Sequence, residues 1–219
     1  MFTRLIASTV LFAFSASSVT AAPSALSGKP QPKERPFVTS IAKDLQHRFR
    51  TTQQAERAGY VRYTDEDETG AISYYNGKWS SDAAHPSQLW YDVHGNLLGA
   101  DFSVLKADSP KPPNLWHIDA GRWQYFSAHV HYILRNADGS LKYGAIGVGK
   151  FVRAGGNLLN PQADALVKAK VTKSTSEVQQ VFLFPELWDL IVWVKPNPAG
   201  AFAEKNPNVV PSKNSKSQM

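Results

Sequence analysis

Between residues 40 and 58 the apolar side chains Ile41, Leu45, Phe49 and Ala55 recur near helical spacing, which predicts an amphipathic helix. Ser40 stands where its N-cap belongs and Gly59 where a left-handed C′ residue belongs. Beyond Gly59 the period falls to two. Residues 60–64 and 71–75 alternate as strands do, joined by an acidic turn over 65–70. Asn76-Gly77 is a strong tight-turn signal, so a further strand is expected over 78–80. Residues 88–93 and 97–105 read as a hairpin around Asp92-Val93-His94-Gly95. A Pro-rich break over 108–113 precedes strands expected at 115–119, 123–126, 129–135 and 141–152, with Asn136-Ala137-Asp138-Gly139 as a turn. Asn160-Pro161 is an N-cap and N1 pair, which predicts a short helix over 162–170. Residues 178–184 and 190–194 are rich in branched and aromatic side chains and read as strands.

The chain also resembles itself. When Gly77-Lys78-Trp79 is set over Gly121-Arg122-Trp123 without gaps, Ala84-His85 falls on Ala128-His129, Gly95 on Gly139, Leu97 on Leu141 and Val104 on Val148. The unit is a turn, an aromatic-led strand, a loop and a hairpin. The fold class expected is mainly β with some α (α+β). The architecture expected is an antiparallel β-sandwich or barrel with one N-terminal helix and one short later helix, either a duplicated meander or a meander whose turn residues recur by turn chemistry alone.

The ends read differently. Arg4, an apolar run from Leu5 to Phe14 and the small-residue ending Val19-Thr20-Ala21 mark residues 1–21 as a secretory signal peptide. That run is too short to span a bilayer, and no transmembrane segment is expected. Residues 22–38 are rich in Pro, Ser and Gly and are expected to be a disordered lead-in. Residues 39–196 are expected to form a single β-rich domain, and 197–219 a flexible C-terminal tail. The localisation this implies is secreted or periplasmic. With no cysteine, disulfides, thiolate metal sites and a cysteine nucleophile are excluded. The net charge is +6, but Lys29, Lys33, Arg35, Lys205, Lys213 and Lys216 gather the excess at the ends. That distribution suits solvated segments better than a nucleic-acid-binding face.

Candidate chemistry centres on histidine. On an extended strand His129 and His131 project to one face, about 7 Å apart along it. Imidazoles so placed can share a divalent transition metal such as zinc. His117 and His85 are the best further ligands, and Asp119 or Asp101 could add oxygen. Asp65-x-Asp67-x-Thr69-Gly70 resembles the first half of a calcium loop, yet Asn76 stands where the closing glutamate belongs. A solvated acidic turn is the better reading. Six tryptophans could offer rings to a carbohydrate ligand. There is no Gly-x-Ser-x-Gly, P-loop or dinucleotide fingerprint. The function expected is a non-catalytic binding domain with a histidine-lined site for a metal, small-molecule or carbohydrate ligand. A metal-dependent enzyme with Asp119 or Asp101 as general base is the alternative. A structural, self-assembling β-domain is the third reading.

Overall fold

The computed structural model describes residues 26–79 and 82–216. The expected signal peptide lies outside the described residues. The helical stretch forms as two helices, α1 (Arg35–Arg48) and α2 (Thr52–Arg57). The first begins ahead of Ser40 because Pro36 falls within its first turn, where a missing N–H costs nothing. The second exists because Thr51-x-x-Gln54 spells a new start: the Gln54 side chain accepts the Thr51 N–H at 3.0 Å. Gly59, at φ +89°, closes it as expected.

The protein is mainly β. Nine strands follow in chain order: β1 (Val61–Arg62), β2 (Ile72–Tyr75), β3 (Gln88–Tyr91), β4 (Leu97–Leu105), β5 (Gln124–Phe126), β6 (His129–Arg135), β7 (Leu141–Gly147), β8 (Val178–Phe184) and β9 (Leu187–Trp193). Two antiparallel sheets form among the described residues. One runs β1-β2-β3-β4-β9-β5 and the other β7-β6-β8, and neither closes into a barrel. Two short helices, α3 (Val148–Arg153) and α4 (Ala163–Lys168), complete the set.

Alternation along the strands decides what each face meets. On the six-stranded sheet Leu89, Tyr91, Ala100, Phe102, Leu190 and Val192 form a core with Ile41, Leu45, Phe49 and Ala55 of the first two helices. The opposite face carries Gln88 paired with Asp101, and Ser103 paired with Asp189. On the three-stranded sheet Val130, Tyr132, Leu134 and Ile146 pack against Phe151 and Leu166 of α3 and α4. Its other face turns His131 and Phe182 toward Tyr63 and Tyr75 of the larger sheet's side. The candidate site lies where these two faces meet.

Several expectations are corrected. Residues 78 and 79 form no strand, and β2 pairs instead with β1 and β3. Residues 115–119 are a turn, because Trp116 and His117 both take left-handed backbone (φ +53° and +58°). The Trp116 ring compensates by stacking on Phe37 at 4.8 Å and meeting Phe102 edge-on. The 141–152 stretch is a strand only to Gly147 and then turns into α3. The later helix is capped at Gln162, not at Asn160.

The two stretches that resemble each other in sequence agree in structure only at their hairpin turns. Both hairpins have the same turn-side register, Tyr91 opposite Leu97 and Arg135 opposite Leu141. Gly95 and Gly139 occupy the same positive-φ place in them. Upstream the copies part: Trp123 joins the helix-side core, whereas Trp79 lies against Tyr75 and Phe184. Local turn chemistry is enough to explain the matching half.

Both described ends are tied down where composition suggested looseness. Glu34 and Arg122 form a buried ion pair at 3.0 Å, and the guanidinium also donates to the Ser27 and Lys29 carbonyls. Gly28 and Gly200 touch so closely that a Cβ on Gly200 would fall 2.2 Å from the Gly28 carbonyl carbon. Glu66 holds the C-terminal segment by accepting the Ser212 N–H at 2.7 Å. In these described segments specific polar partners stand in place of apolar burial.

Candidate functional site: an imidazole pair between the sheets

The seven-residue strand β6 has a period of two, which puts Val130, Tyr132 and Leu134 into the core and His129 and His131 on the other face. Cross-strand pairing then sets their neighbours. Phe184 lies opposite His129 and Phe182 opposite His131 on β8, while Gly147 and Ala145 lie opposite them on β7. The rings follow this register. His129 stacks on Phe184 at 4.6 Å, and His131 stacks on Phe182 at 5.4 Å. Tyr63 presents its edge to His131 at 4.8 Å and 89°. The glycine side stays open: a Cβ at Gly147 would meet nothing within 4 Å.

The two imidazoles are bonded to each other, with Nε2 to Nε2 at 2.9 Å. Such a bond needs one donor and one acceptor nitrogen. His129 Nδ1 lies 2.9 Å from the Ser127 carbonyl, which only accepts, so that nitrogen carries the proton. The Nε2 of His129 is therefore the acceptor, and His131 donates its Nε2–H. This tautomer leaves His131 Nδ1 bare and buried, with no hydrogen bond of ordinary geometry although the Gly144 backbone lies near the ring. Burial lowers the basicity of both rings. For His131 burial, and next the His129 ring, bring the pKa down to about 3, against a weaker opposing pull from the Gly144 backbone. The pair is thus neutral wherever the protein is handled near neutral pH.

The other expected ligands lie elsewhere. His85 is exposed and pairs with Asp82 at 2.6 Å. The turn at Trp116 and His117 sends His117 to the surface. Asp119 caps the turn after it, accepting the Gly121 N–H at 3.0 Å. Among the described residues no group of three or more His, Cys, Asp and Glu side chains is placed to share a metal ion. The structure therefore corrects the four-histidine site: it assembles His129 and His131, and neither His117 nor His85 joins them. The calcium-like turn serves the chain itself, since Asp67 accepts from the Thr69 and Ala71 N–H groups. Of the six tryptophans, Trp90, Trp123 and Trp193 are buried and Trp79, Trp116 and Trp188 half-buried.

Sequence reasoning missed the buried polar network beneath the pair. Tyr63 donates to Gln88 Oε1, Gln88 Nε2 reaches Asp189 Oδ2 at 3.4 Å, and Ser103 donates to Asp189 Oδ1 at 2.7 Å. Trp90 Nε1 donates to Asp101 Oδ2 at 2.8 Å, while Asp101 Oδ1 is buried without a partner. Burial lifts both carboxyls, Asp189 to about 7, and for Asp101 the charge of Asp189 adds to it. Two acids on one apolar-walled face cannot both ionise cheaply, so Asp101 retains its proton. The signal available in the sequence was Asp101-x-Ser103 and Asp189 inside otherwise apolar strands.

Comparison of the chain with known protein families, with characterised proteins and with solved structures finds no match.

Proposed function

We propose that the chain is an exported, non-catalytic binding protein and that the His129–His131 pair is where it holds its ligand, a transition-metal ion. The observation that carries this reading is the pair itself: two neutral imidazoles with both Nε2 atoms aimed at one point. The bare Nδ1 of His131 adds to it. In a protein that makes no use of the pair, a buried bare nitrogen costs about 1–3 kcal/mol with nothing to offset it. A metal ion replacing the shared proton lets that proton move to Nδ1. Both rings would then coordinate through Nε2 and keep a proton on the far nitrogen, the arrangement metal-bound histidines adopt. His129 already has its far-side acceptor in the Ser127 carbonyl.

No observation favours the enzyme reading. Asp101 is locked in the buried network, and Asp119 is engaged by Gly121 and by Lys33 at 3.5 Å. The test is metal analysis of protein purified without chelator, comparing wild type with the double variant His129→Ala/His131→Ala. One equivalent of metal in the wild type and none in the variant is the expected result. Equal metal content in both would refute the reading.

A further inference from the structure

We propose that the metal ion is Cu(I), held in two-coordinate fashion by His129 and His131; this rests on the metal-binding reading above. The number of donors favours this ion. The site supplies two nitrogens, and among the described residues no third histidine or carboxylate stands with them. Zinc and other divalent ions are ordinarily held by three or four protein ligands in a tetrahedral or larger shell. A monovalent ion with a filled d shell is satisfied by two ligands in line. It also brings a single charge, so two neutral imidazoles without a compensating carboxylate are enough.

The surroundings of the rings favour it too. Phe182, Phe184 and Tyr63 surround the rings with faces and edges that carry no donor toward an ion. They set aromatic carbon, not donor atoms, beside both imidazoles. The open approach is over the exposed Gly147, directly across from His129.

The distance to be covered is small. The Nε2 atoms are 2.9 Å apart, and an ion in line between them needs about 4 Å, twice a metal–imidazole bond of about 2 Å. Each ring is nearly parallel to its phenylalanine partner, at 18° for His129 and 17° for His131. A slide of about half an ångström per ring within these planes keeps both stacks and opens the gap. The ion enters where the shared proton was, and that proton passes to His131 Nδ1. No oxidant or reductant is consumed, because the step is a binding step.

The experiment is an anaerobic titration of the purified protein with Cu(I) against a chromophoric Cu(I) chelator, with Zn(II) titrated in parallel by calorimetry. One Cu(I) per chain is expected, with an X-ray absorption edge of linear, nitrogen-bound Cu(I). Zn(II) should not bind at this site. His129→Ala, at the half-buried ring, should weaken Cu(I) by more than the roughly 10–100-fold that loss of a supporting hydrogen bond costs a metal site. Gly147→Leu, at a backbone position with ordinary negative φ, should also weaken binding while leaving the thermal midpoint near that of wild type. Zn(II) bound one-to-one and lost in His129→Ala would overturn the Cu(I) assignment and leave the metal-binding reading standing. A folded wild type that takes up neither ion would overturn both. Cu(I) binding unchanged by His129→Ala would place the ion elsewhere and refute this site.

Discussion

His131 and Asp189 pull the pH dependence of stability in opposite directions. An unfolded histidine takes up its proton near pH 6.5, but folded His131 does so only near 3. Across that window the folded state binds fewer protons, so the contribution of His131 is present above about 6.5 and is lost as pH falls. Asp189 has the reverse sign. Its carboxyl is raised to about 7 in the folded protein, so its contribution is present in acid and is lost as pH rises from about 4 to 7. Each group acts with a slope of at most about 1.4 kcal/mol per pH unit. Asp189→Asn keeps an oxygen for the Ser103 hydroxyl and removes the buried charge. Relative to wild type its thermal midpoint should rise by several degrees near pH 7.5 and change little near pH 4. His131→Phe should do the opposite, gaining at acid pH relative to its value at pH 7.5. Thermal melts between about pH 4 and 8 check both, and variant curves running parallel to wild type would contradict the assignment of these shifts.

At the level of elements, β8 is the seam. Phe182 stacks on Tyr75 of the larger sheet at 3.9 Å and 11° and on His131 of its own sheet, and Gln180 donates to the Tyr75 hydroxyl. Phe182→Ala removes the ring that joins them. The expected cost is about 2–4 kcal/mol, below the figure for a fully buried phenylalanine because Phe182 is half-buried. Water then reaches His131 and its basicity should recover toward that of a free imidazole. Denaturant unfolding measures the first effect and a histidine NMR titration the second; loss of stability with His131 unchanged would mean that the seam does not shield the pair. Elements of this kind were legible in part. The β3–β4 and β6–β7 hairpins could be read because turn residues and alternation are local signals. The stretch 115–119 could not, because its left-handed backbone is held by the contact of Trp116 with Phe37, far away in sequence. The break between α1 and α2 was written in Thr51-x-x-Gln54, which the longer apolar period masked.

At the scale of the molecule, two antiparallel sheets with helices on their far sides bring an imidazole pair and a carboxyl pair to neighbouring positions, linked through Tyr63. Period two along one strand sufficed to place His129 and His131 side by side. It could not say what lay opposite them, since Phe182, Phe184 and Gly147 arrive from other strands through pairing. The repeat suggested His85 as a partner, but resemblance between copies says nothing about whether they share a space, and here His85 answers to Asp82. Glu34 and Arg122 show the same limit at the ends: the composition of the Pro-rich segment says nothing of a buried ion pair made 88 residues away in sequence.

A neutral, mutually bonded imidazole pair is the centre of the site. Its most direct measurement is a pH titration of the histidine ring nitrogens by NMR in the metal-free protein. His131 should remain neutral, protonated on Nε2, through pH 5 and below, with His129 protonated on Nδ1. If His131 instead gains its proton near pH 6.5 or carries its neutral proton on Nδ1, the pair described here does not exist.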